Sequence, residues 1–328
     1  MPLRVIEYRQ LVHILTLFLI VQFSGLLLAV QIFNGATFEQ IQSAEISSAP
    51  ITVLFFVGYI IIFTALLLFI LKIYKGEKLF LVIEAVVVFL SSFIVFSLVS
   101  AIPFHAVADT LNGNGPPAIY LVALFSSLAL VVAKNRIPRL RNLAAIVSSI
   151  GAGLLLGVSF SFSISFLLMV VLAVYDFVAV FITKHMIALG DMAVSKNLAF
   201  LIMASEVKAV PLSSLSERER KEYQKEKRAL EKQGGIISEI VKSNMVPLAA
   251  RTALGTGDLA IPLMLAVSAY QVQFNFELSF VIVLGAVFGL ILTMLILRKY
   301  RRALPAIPPL LFGITVAILI YFAISNIL

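Results

Sequence analysis

Long apolar runs separated by short polar segments organise this chain, and the thickness of a bilayer sets the scale for reading them. A helix that crosses a membrane needs about 20 mostly apolar residues. By that measure the pattern predicts nine spans, near 11–33, 51–73, 79–101, 118–133, 143–157, 163–183, 247–270, 278–297 and 305–326, the fourth and fifth of them short. One long polar stretch, 185–246, separates the sixth from the seventh. Within it, Ser216-Glu217-Arg218-Glu219 has the spacing of a capping box, and Glu217 with Lys221 offers an opposite-charge pair one turn apart. A solvated helix is expected there, ending at Gly234-Gly235, where helices favour glycine. The chain therefore divides into a membrane bundle over 1–184, a polar connector over 185–246 and a second membrane bundle over 247–328. No clear internal repeat is visible, which disfavours the transporter folds built on inverted repeats.

Composition agrees with the pattern. Of 328 residues, 61% are hydrophobic and 13% charged, with a mean hydropathy of +1.07. A soluble domain carries about 25% charge, so the fold class is an all-α polytopic membrane protein. The net charge of +8 would suit a nucleic-acid partner, but its placement follows the membrane instead. All 25 Lys and Arg fall in the N-terminus, around 72–78, around 134–141, between Lys184 and Arg251, and at 298–302. The alternating loops (34–50, 102–117, 158–162, 271–277) and the C-terminus have none. Basic residues mark cytoplasmic loops, so nine spans place the N-terminus in the cytoplasm, the 185–246 loop on the same side, and the C-terminus outside, in a cell membrane. The expected partner of this charge is the lipid bilayer, through its anionic headgroups, and not nucleic acid. The first apolar run is too long for a signal-peptide core and lacks a small-residue cleavage site, so it reads as the first span.

There is no cysteine, which excludes disulfides and thiolate metal sites. His13, His105 and His185 lie in different regions, and His105 with Asp109 supplies two ligands where a site needs more. No metal and no cofactor is expected.

The candidate chemistry lies in two aspartates inside spans. Asp176 occupies Val174-Tyr175-Asp176-Phe177-Val178 and Asp258 occupies Gly255-Thr256-Gly257-Asp258. An ionisable side chain at membrane depth is expensive and faces a protein-lined or watery cavity. Counted from Lys184, Asp176 is roughly 12 Å inward; counted from Arg251, Asp258 is roughly 10 Å inward. The two spans run in opposite directions, so both acids reach a similar depth and can meet. Two carboxylates held close share one proton, leaving one as base and the other as acid, as in the aspartic proteases; the same pair would also serve a proton carrier. Gly255 and Gly257 each weaken a helix by about 1 kcal/mol against Ala, and Pro262 follows one turn after Asp258. Broken helix at this depth belongs beside a cavity, although glycine also serves plain helix packing. At the mouth of the last span, Ala303-Leu304-Pro305-Ala306-Ile307-Pro308-Pro309 holds three prolines that cannot all sit in a regular helix, so an extended segment is expected. Glu84, near the start of the third span, reads as an interfacial or snorkelling acid.

Tyr175-Asp176, Gly255-Thr256-Gly257-Asp258 and Pro305-Ala306-Ile307, in this order and at these membrane positions, resemble the YD, GxGD and PAL motifs of the presenilin and signal peptide peptidase family of intramembrane aspartyl proteases. The resemblance runs over the whole chain. It implies Asp176 and Asp258 as the catalytic pair, and Tyr175, Gly255, Thr256, Gly257, Pro305, Ala306 and Ile307 as residues that shape the site or bind substrate. Ile307 stands where the family usually has Leu, and Pro308-Pro309-Leu310 offers a second register for the motif. The loop charges match the presenilin orientation, and the compact length with Thr183-Lys184-His185-Met186 after the YD span is similar to archaeal presenilin homologues. The implied activity is hydrolysis of a single-spanning helix, unwound at the site, by a chain needing no accessory subunit. The alternatives from the residues alone are a proton-coupled transporter or channel and a membrane scaffold. The proline segment favours the protease, since a proton relay has no evident need for it.

Overall fold

The computed structural model describes residues 8–35, 77–104, 107–111, 114–182, 201–211, 245–273, 276–300 and 305–325, with the isolated positions 51, 55, 58 and 62. Among the described residues eight long helices carry the fold: α1 (Tyr8–Gly35), α2 (Glu77–Ala101), α3 (Pro117–Arg136), α4 (Pro138–Ser159), α5 (Phe162–Phe177), α6 (Thr256–Gln273), α7 (Phe276–Tyr300) and α8 (Ile307–Ser325). Seven of them are long and apolar enough to cross a membrane, α6 being the exception. The protein is a helical, multi-pass integral membrane protein. The expected second span (51–73) and the expected charged helix near 216–234 lie outside the described residues, the single positions 51, 55, 58 and 62 apart.

Helix limits follow local chemistry. Pro117 and Pro138 open α3 and α4 at the first-turn position, where the missing N–H would have had no partner anyway. Lys134 and Arg136 close α3, where basic groups complement the carbonyl end of the helix dipole. Both helices outrun the short spans expected at 118–133 and 143–157.

The helix α6 is the hub. It packs against α1, α4, α5 and α7, and every residue from Leu259 to Gln271 is buried. Small residues allow the close approach. A Cβ on Gly153 would lie 2.8 Å from Leu263 and 3.0 Å from the Ala260 carbonyl, and one on Gly157 would meet Val267 and the Met264 carbonyl. The α7–α8 pair is built the same way, with Gly285 and Gly289 facing Gly313 and the Pro309–Leu310 backbone. In lipid, where apolar surface gains little by leaving the tails, such small-residue contacts supply much of the helix association. On the outer side, α3 leaves Leu121, Val122, Phe125, Leu128 and Val132 uncovered, as suits a lipid-facing helix.

Three expectations change. The seventh span does not run as helix from 247: β2 (Met245–Gly255) pairs antiparallel with β1 (Leu201–Pro211), from Leu201↔Gly255 to Pro211↔Met245, and helix begins only at Thr256. The bundle is thus helical with one two-stranded ribbon rather than purely α. Pro247 and the paired glycines 255 and 257 disfavour helix across this tract. Its partner strand lies in the polar connector, so periodicity near 250 cannot reveal the pairing.

Glu84 does not snorkel to solvent. It is buried between α2 and α3 and forms an ion pair with Lys134 at 2.8 Å. Finally, α5 gives way to one π-helical turn, Val178–Ile182, instead of continuing as α-helix. Such turns are frequent at functional sites.

Candidate active site

The YD helix α5 runs into the membrane-facing bundle and presents Asp176 just before the π-turn, with 6% of its surface exposed. Its Oδ2 accepts a hydrogen bond from the backbone N–H of Ile307, 3.2 Å away. The helix α8 starts at that residue. A helix N-terminus leaves its first N–H groups unpaired, and Pro308 and Pro309 remove two of those donors by having none. The remaining Ile307 N–H is therefore committed to the carboxylate, at the positive end of the α8 dipole. Leu310 N–H already bonds the Ala306 carbonyl at 3.3 Å.

The proline segment thus takes a form between the two sequence expectations. Pro305 and Ala306 are non-helical and buried, whereas Pro308 and Pro309 occupy the first turn. Between the two possible registers, Pro305-Ala306-Ile307 is the one that touches Asp176. Leu310 is fully buried and lies close to Gly289 of α7.

Asp258 enters from the opposite direction on the first turn of α6. Gly255 is the last residue of β2, and its N–H donates to Asp258 Oδ2 at 3.2 Å. This is the half of a capping box in which the third helical residue reaches back to the N-cap amide. A Cβ at Gly255 would sit 3.1 Å from that same oxygen, so a side chain there would press on the carboxylate. Gly257, by contrast, is exposed, and its missing Cβ faces open space. Asp258 and Tyr175 are half-buried. The helices that carry the two aspartates, α5 and α6, pack against each other.

The structure therefore draws Asp176, Asp258, Gly255, Ala306 and Ile307 toward one place where α5, α6 and α8 converge. Two contacts there had no sequence signal of their own. Gln22 of α1 donates from Nε2 to the Leu259 carbonyl at 2.9 Å, and the Ser149 hydroxyl of α4, bonded to its own Ala145 carbonyl at 2.7 Å, also reaches the Thr256 carbonyl at 3.2 Å. The available hint was Gln22, an amide at the middle of a mostly apolar first span. Among the described residues no group of three His, Cys, Asp or Glu is arranged to hold a metal ion. Two carboxylates with fixed backbone donors, a half-open face and no third acid suit acid–base chemistry on water.

The sequence model of the signal-peptide peptidase and presenilin aspartyl proteases matches residues 15–327. The chain belongs to that family. It is a presenilin-family intramembrane aspartyl protease, a peptidase whose family implies protein substrates. Two solved structures of a presenilin family intramembrane aspartate protease, in C222 and P2 crystal forms, share its fold. Each is 19% identical and covers 94% of this chain and 96% of its own, with TM-scores of 0.57 and 0.58. No curated protein matches the chain in sequence.

Proposed function

We propose that this family member cuts single-spanning transmembrane helices, with Asp176 and Asp258 as a shared-proton pair. One carboxylate takes a proton from water as the oxygen attacks the scissile carbonyl, while the other donates its proton to the carbonyl oxygen. The resulting diol then collapses, and the amine leaves with a proton returned by the pair. The observation that carries this reading is the convergence of the two acids on oppositely directed helices, each fixed by a backbone N–H. The open space beside Gly257 favours a substrate backbone approaching there. The ribbon supports an extended substrate, since β2 ends three residues before Asp258 and a two-stranded ribbon leaves strand edges to which a third can add. Tyr175, Thr256, Pro305, Ala306 and Ile307 shape the site around the unwound segment. In the same reading nine spans place the N-terminus in the cytoplasm and the C-terminus outside, the chain sits in a cell membrane, and it acts without accessory subunits.

The test is cleavage of a single-span substrate by purified protein in detergent, with products read by mass spectrometry. Asp176→Ala and Asp258→Ala should each abolish cleavage while retaining the folded elution profile. A shared proton further requires a bell-shaped pH profile: acid adds a second proton to the pair and removes the base, and alkali strips the single proton and removes the acid. Full activity in either variant would overturn the pair.

A further inference from the structure

Helix α6 has a weak point at its functional end. Pro262 lies inside the helix, one turn after Asp258. Having no N–H, it cannot donate to the Asp258 carbonyl four residues earlier, and its ring opens the local ladder. The turn that carries Asp258 is thus short of internal hydrogen bonds, and Gly257 within it adds no side-chain restraint.

Two side chains from different helices bracket this turn. Ser149, 1% exposed, shares its one hydroxyl proton between the Ala145 carbonyl of its own helix at 2.7 Å and the Thr256 carbonyl at 3.2 Å, two residues before Asp258. Gln22, with no exposed surface, donates to the Leu259 carbonyl one residue after it. The Gln22 amide orientation is unambiguous, since only its NH₂ can face a carbonyl. Its Oε1 has no partner among the described residues, so the amide is kept at membrane depth with one acceptor unsatisfied. A leucine would fill that volume without this penalty.

Both residues are also followed on their own helices by a glycine that faces the same target. Gly25, three residues after Gln22, and Gly153, four after Ser149, both lie against Leu263. Leu263 therefore enters a notch between α1 and α4, while the polar groups hold the carbonyls on either side of the aspartate.

We propose that Gln22 and Ser149 are positioning residues for the reaction, which fix the Asp258 carboxyl against Asp176 by clamping the Thr256 and Leu259 carbonyls around a proline-weakened turn. This deepens the protease reading above and rests on it. A misplacement of about 1 Å at a reacting group can cost on the order of a hundredfold in rate, so the clamp should act on turnover more than on substrate binding.

The experiment compares Gln22→Met, Ser149→Ala and Gln271→Met in full-length protein, using one single-span substrate and a hydroxyl-bearing transition-state mimic. Gln271 is the control, because it too is a buried amide donating to a backbone carbonyl, that of Val158 at 3.4 Å, but at the far end of α6. The expected result is a fall in kcat per folded enzyme on the order of tenfold to a hundredfold for Gln22→Met and Ser149→Ala. KM should be little changed, mimic binding weaker, and Gln271→Met should keep its kcat whatever its Tm. Equal kcat in the two clamp variants and wild type would overturn the proposal, as would equal kcat losses in all three variants. If Gln22→Met fails to fold, Ser149→Ala alone decides on the same criteria. Asp258→Ala run in parallel separates the cases: retained cleavage there refutes the protease pair itself, whereas its loss with an unaffected Ser149→Ala refutes only the clamp.

Discussion

At the scale of single residues, the Glu84–Lys134 pair shows how an ion pair survives in a bilayer protein. Both side chains are almost completely buried, at 1% and 2% exposure, and they meet at 2.8 Å; Lys134 Nζ also reaches Asn135 Oδ1 at 3.4 Å. Removing one partner leaves an uncompensated charge, which in buried pairs costs about 3–5 kcal/mol, whereas replacing both by apolar residues of similar volume can be neutral. Lys134→Met should therefore lower thermal stability in detergent strongly, and Glu84→Leu with Lys134→Met should recover most of it. A double variant as unstable as the single one would show that the pair contributes more than mutual compensation. The sequence alone placed both residues in the wrong environment. Lys134 was legible as a loop charge and Glu84 as an interfacial acid, because linear position near a helix end says nothing about which neighbouring helix lies alongside. The aspartates were legible for the opposite reason. An acid in the middle of an apolar span has no inexpensive location, so Asp176 and Asp258 announce a site wherever the helices go.

At the scale of elements, the junctions matter more than the helices. Asp176 is followed by a π-turn, Asp258 by a proline-weakened turn, and Ile307 opens its helix. Each site residue thus sits where a regular element starts or stops. Hydropathy located seven of the nine expected helical bodies to within a turn or two, since twenty apolar residues in a row have one stable form in lipid; the second lies outside the described residues and the seventh begins nine residues late. It missed the ribbon because a strand pairing between 201–211 and 245–255 is set by a partner remote in sequence. The proline segment was half legible: its irregularity followed from the missing donors, but not that Pro308 and Pro309 would use the first turn. Pro305→Leu should lower activity far more than Tm, because it changes the approach to the Ile307 amide without touching the α8 body. Parallel losses in both would reduce the segment to an ordinary helix start. Ile307→Leu should be nearly silent, since the contact to Asp176 is made by backbone.

At the scale of the whole molecule, the helix that bears Asp258 is enclosed by four others, α1, α4, α5 and α7. The proposed orientation in the membrane rests on the one-sided distribution of Lys and Arg. As the chain has no native cysteine, single cysteines report orientation cleanly. Those placed at Ser43, Asn112 and Gln273 should label from outside in intact cells, and one at Ser214 should not. Labelling at Ser214 would invert the topology and put the catalytic face on the other side.

The enclosure of α6 has a consequence for how the protein is made. A segment bearing Asp258, Pro262, Gln271 and Gln273 is a poor candidate for insertion by the cellular machinery that sorts nascent helices into lipid, where an aspartate near a helix centre is charged about +2.5 to +3.5 kcal/mol. Its acceptance depends on helices synthesised earlier, α1, α4 and α5, which supply a protein-lined berth in place of lipid. Biogenesis is therefore expected to be ordered: the Asp258 helix is admitted only after the first half of the chain, which carries Asp176, has assembled to receive it. Translated alone between glycosylation reporters, residues 247–273 should insert inefficiently, and the same residues behind 1–246 should insert well. Equal insertion in both contexts would mean that this helix enters the membrane on its own terms.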